Sequence, residues 1–456
     1  MLRWLENING FVWGVPALLL ILGVGIYLSI QTGFVQFRLF PTALRDFWAS
    51  IRDRNKCGGV SSYRALCTAL AATVGTGNIA GVAGAIAIGG PGAIFWMWVC
   101  ALLGMMIKFA EATLSVSYRR KNAKGELVGG PMHMIRQSMP KGKWLAAVYC
   151  FFGVVASFGV GNGTQINAVI GGFHSVSEFF HIGVGLEIDI AIGILVAVLI
   201  LITMLGGANR IGAAAERLIP FAAVAYVLMC LIVIIGRRQN IPRAFGMIFQ
   251  GVLCPDAVSG GMIGSVFIAL RVGTSRGVFT NEAGLGTAGI AHAAADVQHP
   301  VEQGLMGIME VFIDTIVICT MTALVILCSD VPIPYGTDMG ITLTTQAFST
   351  VFGPWISIPI TAALCCFAIA TILGWGLYGI RCAQFLFGEN AWKSFVFVQA
   401  IMAIVSAVMR TETVWMLAET VNGLMAIPNL IVLAYLAPQL KKSVQQYISP
   451  KRVELR

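Results

Sequence analysis

Thr73-Val74-Gly75-Thr76-Gly77-Asn78-Ile79-Ala80-Gly81 interrupts a mostly apolar run over 65–89. Glycine disfavours helix by about 1 kcal/mol relative to alanine, so Gly75 and Gly77, two apart and followed by Asn78, predict a break. Backbone groups freed within a membrane persist only where protein or a cavity satisfies them. The freed carbonyl of Val74, the Thr73 hydroxyl and the Asn78 side-chain oxygen could then replace water around a small hard cation. The N–H groups of the resumed half-helix, near Gly75, Thr76 and Gly77, suit a carboxylate. The alternative is a glycine-lined packing face between helices.

The surrounding chain decides that a membrane is the relevant solvent. Of the 456 residues, 57% are hydrophobic and only 11% charged, against roughly 25% charged in soluble domains. About eleven apolar stretches have spanning length, at 13–30, 65–89, 93–117, 144–171, 188–206, 218–236, 261–285, 304–328, 355–385, 394–409 and 413–437. The run over 11–30 is too long for a signal-peptide core and has no small-residue cleavage site after it, so it reads as the first span. Most Lys and Arg fall in alternate loops, Arg119, Arg120, Lys121 and Lys124 among them. By the positive-inside rule this puts the N-terminus outside and the C-terminus in the cytoplasm, with Arg237, Arg238 and Arg243 as exceptions. The net charge of +9 therefore follows topology and does not point to nucleic acid. The eleven cysteines form no CxxC pair and mostly sit in or beside apolar runs, as small packing residues do. The histidines form no ligand cluster.

An odd span count fits one extra helix plus an inverted repeat of five plus five, with half-repeats over about 63–236 and 245–438. The first helix of each half should then carry a matching interruption. Val74-Gly75-Thr76 in the second span has a counterpart in Val272-Gly273-Thr274 of the seventh, which places a second break there. Gly89-Gly90-Pro91-Gly92 predicts a tight turn, and Phe95, Trp96 and Trp98 an interfacial aromatic belt. Elsewhere, Asn162 and Gln165 lie three apart on one helix face, and Thr371 and Trp375 four apart on another.

The run GTGNIAGVAGAIAIGGPGAIFWMWVCALLG, from Gly75 to Gly104, resembles the signature of the alanine or glycine:cation symporter family. Arg276-Gly277-Val278-Phe279-Thr280-Asn281-Glu282-Ala283-Gly284-Leu285-Gly286 and Gly374-Trp375-Gly376 are similar to two further motifs of that family. The resemblance covers the chain from the Phe11-Val12-Trp13-Gly14 segment onward. It implies an all-α, LeuT-type fold of two inverted five-helix halves with the first and sixth core helices broken. It also implies symport of a small amino acid with sodium. The third core helix would face substrate, which assigns Asn162 and Gln165 to the zwitterion. The eighth would supply a sodium hydroxyl, which assigns Thr371, with Thr73, Val74, Asn78 and Asn281 completing the ion's ligands. Gly273, Thr274, Phe279 and Thr371 would add substrate surface, and Trp375 would limit side-chain size.

Remaining charges in the spans are expected to pair: Lys108 with Glu111, and Glu310 and Asp314 with Arg271 or Arg276. Arg276 and Glu282 read as gating or structural charges, and Glu419 near Asn422 has no evident partner. No Walker sequence, HExxH or GxSxG occurs, and no selectivity-filter sequence is evident. The reading is therefore a monomeric secondary carrier in a bacterial or archaeal cytoplasmic membrane, not an enzyme or channel. Sodium is its coupling ion, and no organic cofactor or nucleic-acid partner is expected. A proton-coupled carrier of another small amino acid is the alternative, with Glu310 and Asp314 as the proton path.

Overall fold

In a bilayer every backbone polar group must be satisfied within the protein, and long apolar runs do this by becoming helices. The computed structural model describes all residues except 1, 53–59, 124, 184, 255–264, 338–339 and 455–456. Among the described residues, nine helices are long and apolar enough to cross a membrane: Asn7–Thr32, Gly92–Ser117, Pro140–Phe179, Leu186–Met204, Ala208–Gly236, Pro300–Cys328, Pro354–Phe387, Ala391–Val408 and Thr413–Tyr435. A further crossing is a bent pair, Ser62–Thr73 and Gly77–Gly89, at 53° to one another. The expected span over 261–285 begins partly outside the described residues; its described helix runs Val266–Asn281. Lipid-facing residues such as Leu19, Phe151, Leu195, Phe221 and Ile401 are exposed, while Lys108, Glu111, Glu310 and Asp314 are fully or almost fully buried. The molecule thus carries its apolar surface outward and its polar groups in the middle, as lipid solvation requires.

The first break forms where the sequence places it. Ser61 caps the Ser62–Thr73 helix, its hydroxyl accepting the Arg64 N–H at 3.1 Å. The helix stops at Val74, which is extended. Beyond it, Gly77–Gly81 opens as a wide π turn before the α geometry of Val82–Gly89 resumes. Similar π turns interrupt Pro140–Phe179 at Gly159–Gly163 and Pro300–Cys328 at Phe312–Cys319, a geometry often found at functional sites.

The second break is not where the Val-Gly-Thr match placed it. The helix is continuous through Gly273 and Thr274. Gly273 is small because a Cβ there would come within 2.3 Å of the Ala93 carbonyl; it serves packing against Gly92–Ser117. The chain breaks at Glu282, whose φ of 54° is left-handed, and passes through Gly284 and Gly286 at 98° and 78°. It resumes as Thr287–His292. The aromatic residues that follow the Gly-Pro turn are half-buried and packed. Phe95 and Trp98 pack on Phe249, and Trp98 on Phe245, of the Ile241–Leu253 helix, and Trp98 donates to Thr320 Oγ1 at 2.8 Å. Gly92 has no room for a side chain because the Gly251 backbone crosses it.

Candidate functional site

At the first break, two other helices bring an oxygen to Gly75. A methyl group on Gly75 would lie 2.7 Å from Thr371 Oγ1 and 3.4 Å from Gln165 Oε1. Both atoms, and Thr76 Oγ1, are buried without a hydrogen-bond partner among the described residues. Buried polar groups are almost always paired, and unpaired ones call for a missing ion, water or ligand. Three neutral oxygens with free lone pairs suit a small hard cation or an ammonium group. Gln165 is held for this by its amide N–H groups, which donate to the Val160 carbonyl and Thr164 Oγ1; the π turn frees that carbonyl.

Asn78 stands differently from the expectation. Its Oδ1 accepts the Gly75 N–H at 2.8 Å, and its Nδ2 donates to the Asp314 carboxylate at 2.7 Å. It therefore braces the break from behind, with its oxygen already engaged. The Thr73 hydroxyl bonds back to the Ala69 and Leu70 carbonyls. Phe279 and Thr280 approach Gly77, where a Cβ would lie 3.3 Å and 3.0 Å from their side chains. The structure thus gathers Gly75, Thr76, Gly77, Gln165, Phe279 and Thr371. Asn162 turns its amide N–H to the Gln399 carbonyl at 2.7 Å. Gly273 and Thr274 face Gly92–Ser117 instead, where the Thr274 carbonyl accepts Cys100 Sγ–H.

The second break is filled by the protein's own groups. Glu111 Oε1 accepts the N–H groups of Gly284 and Gly286, each at 3.0 Å, and Asn429 Nδ2 at 2.7 Å. An anion at a half-helix N-terminus is the favourable arrangement, and here Glu111 supplies it. That removes Glu111 from Lys108, which pairs with Glu310 at 2.7 Å; His292 meets the other oxygen of Glu310 at 3.0 Å. Glu310 and Asp314 thus do not meet Arg271 or Arg276 as expected. Glu282 is clamped on both oxygens, by the Trp375 indole N–H and by Thr287 Oγ1, each at 2.6 Å. A non-glycine residue in the left-handed region persists only when its surroundings hold it there. Trp375 is wholly buried and lies against Gly161, where a Cβ would sit 2.5 Å from its own; it ties the Thr371 helix to the second break. Trp375→Phe keeps the ring and loses that donor. Hydrogen bonds to charged groups contribute about 1.5–3 kcal/mol, so the variant should melt at a clearly lower temperature than the parent. A parental melting temperature would mean that Glu282 does not depend on the indole.

Over Phe279 the site is covered. Its ring lies 4.9 Å from that of Trp415, and Arg276 sits 5.0 Å above Trp415 and 3.2 Å from Glu419. Glu419, expected to be alone, is thus half of an ion pair. At the opposite end, Arg64 meets Glu216 at 2.8 Å and Arg381 meets Glu126 at 2.9 Å. Glu111, Glu282 and Asn429 were not assigned to the site from sequence, and Asp314 only as part of an alternative proton path. The available signal was their cost in an apolar span; their partners lie too far along the chain to be inferred.

Comparison with known proteins places this geometry in context. The family model described as the sodium:alanine symporter family matches residues 1–455. The sodium/alanine symporter AgcS of Methanococcus maripaludis is 41% identical over 95% of this chain and 94% of its own. An uncharacterized transporter of Haemophilus influenzae is 40% identical over 98% of this chain and 96% of its own. Among solved structures, MhsT in complex with L-phenylalanine superposes with a TM-score of 0.58 at 14% identity, over 84% of this chain and 97% of that one. At that identity the likeness shows the fold, a LeuT-type bundle.

Proposed function

This chain belongs to the sodium:alanine symporter family, and from that premise we propose that it imports alanine or glycine together with sodium by alternating access. The observation that carries the reading is the pair of unpartnered oxygens beside Gly75, Gln165 Oε1 and Thr371 Oγ1, with the unpartnered Thr76 Oγ1 next in the chain. Sodium would take Thr371 Oγ1 and freed carbonyls near Val74. The substrate carboxylate would face the N–H groups at the start of Gly77–Gly89, and its ammonium group would reach Gln165. Phe279, against Gly77, would restrict the substrate's side chain to a small one. Glu310 is already matched by Lys108 and His292, which favours sodium over a proton path through it.

The protein is an integral membrane transporter. We place its N-terminus outside and its C-terminus in the cytoplasm, with half-repeats over about 63–236 and 245–438, acting as a monomer. The Phe279–Trp415 stack and the Arg276–Glu419 pair would form the outer cover. Arg276→Gln and Glu419→Gln should each weaken alanine binding by about tenfold, and the double variant should be no weaker, because paired residues are non-additive. Additive losses in equilibrium binding would separate the two side chains.

The deciding experiment is uptake of radiolabelled alanine into proteoliposomes under an inward sodium gradient, a proton gradient or neither. Accumulation only with sodium is expected. Accumulation driven by protons alone would replace sodium as the coupling ion. No uptake by folded protein would overturn the substrate.

A further inference from the structure

We propose that Asp314 is a positioning residue that joins the two breaks, so that cation binding at the first depends on hydrogen bonding at the second. The inference rests on the sodium-coupled reading above. A buried chain of hydrogen bonds carries it. The Gly75 N–H donates to Asn78 Oδ1 at 2.8 Å. Asn78 Nδ2 donates to Asp314 twice, to Oδ1 at 2.7 Å and to the main-chain carbonyl at 3.1 Å. On the other side Thr315 Oγ1 donates to Asp314 Oδ2 at 2.8 Å. Thr315 in turn accepts from Asn281 Nδ2 at 3.2 Å, and Asn281 Oδ1 accepts the Ala283 N–H at 3.0 Å. Asn78, Asp314, Thr315 and Asn281 are all 0% exposed. The chain runs from Gly75 in the first break to Ala283 in the second, and Asp314 is its midpoint.

Two features make the midpoint specific. The first is the π turn Phe312–Cys319, where the wider backbone lets the Asp314 carbonyl and carboxylate both meet Asn78. The second is direction. Asn78 and Thr315 both donate toward residue 314, and only an acceptor-only group can end both arms. Asparagine there would turn a donor toward one of them. Glu310, one turn earlier, is matched by Lys108 and His292, whereas the Asp314 carboxylate forms no ion pair among the described residues. Its negative charge is therefore passed to the first break through Asn78, where it favours a cation beside Gly75. Any shift of the second break that turns Asn281 alters the donor at Thr315 and, through Asp314, the brace on Gly75.

Thr315 provides the test, because it touches neither Gly75 nor Thr371. Sodium and alanine titrations of the purified protein in detergent, read by intrinsic tryptophan fluorescence, would compare Thr315→Val, Thr315→Ser and Asp314→Asn with the parent. Thr315→Val and Asp314→Asn should each raise the half-saturating sodium concentration by about tenfold, the size of one charge-assisted hydrogen bond or somewhat less. Alanine affinity at saturating sodium should stay within twofold. Thr315→Ser, which keeps the hydroxyl, should titrate like the parent, and the Asp314→Asn/Thr315→Val double variant should be no worse than either single one. A parental sodium response in Thr315→Val would overturn the proposal. So would equal weakening of sodium and alanine binding, or additive shifts. Should Asp314→Asn fail to fold, the Val and Ser variants still decide. A parent protein whose alanine binding ignores sodium would overturn the coupling reading and this inference with it; a sodium-responsive parent with a parent-like Thr315→Val would remove Asp314's role alone.

Discussion

Gly75→Ala is expected to abolish sodium-driven alanine uptake, by about a hundredfold or more, in protein that still folds. The added methyl would stand 2.7 Å from Thr371 Oγ1, far inside ordinary contact, and 3.4 Å from Gln165 Oε1, at its lower edge. Thr371 Oγ1 must withdraw by several tenths of an ångström, toward or away from Gln165 Oε1. Those oxygens are the proposed cation and ammonium ligands, and misplacing reacting or binding groups by about 1 Å can cost roughly a hundredfold. The stability cost should be far smaller, because Val74, just before Gly75, is already outside the helix. Uptake in proteoliposomes, set against abundance and melting temperature in detergent, would separate the two effects. Uptake within threefold of the parent would move the binding site away from Gly75.

The second large effect falls on stability. Glu111→Leu should leave little folded protein, and Glu111→Gln should rescue much of it. Glu111 Oε1 accepts three donors at the second break, while Oε2 has no partner among the described residues. Leucine would strand the Gly284 and Gly286 N–H groups and leave the end of Thr287–His292 without its anion. Removing one member of a buried charged arrangement costs about 3–5 kcal/mol, a large part of the stability of an ordinary domain. Glutamine keeps an acceptor oxygen for the same donors and places its amide where Oε2 was. Fluorescence-detected size exclusion with a thermal ramp would show it. Equal melting temperatures for the parent and Glu111→Leu would mean that water or lipid can replace the carboxylate.

Those two residues mark how far the sequence could be read. Spans were legible because an apolar run of about 20 residues has few other fates, and the first break was legible because Gly75, Gly77 and Asn78 are adjacent in the chain. The second break was misplaced for a physical reason. Gly273 resembles Gly75 in its tripeptide, yet its smallness admits the Ala93 carbonyl and does not bend the chain. The actual corner is made by a glutamate in the left-handed region, a conformation that composition does not announce and that Trp375 and Thr287 enforce from outside the segment. Charge pairing failed similarly. Lys108 and Glu111 are neighbours on one helix, but Lys108 reaches Glu310 and Glu111 reaches Asn429, partners that only the assembled bundle brings near. Spacing put Gln165 on a face with Asn162 and Thr371 on a face with Trp375, and the family resemblance pointed those faces inward; Asp314 was noticed as a charge, but not as the link between Asn78 and Thr315.

The Glu111 carboxylate over Gly284 and Gly286 has one more meaning. At the second break the chain fills the anion-binding end of the resumed helix with its own side chain. No free carboxylate can take that place without first stranding two buried N–H groups. The second corner is thereby a structural joint, closed by a carboxylate that the chain itself supplies.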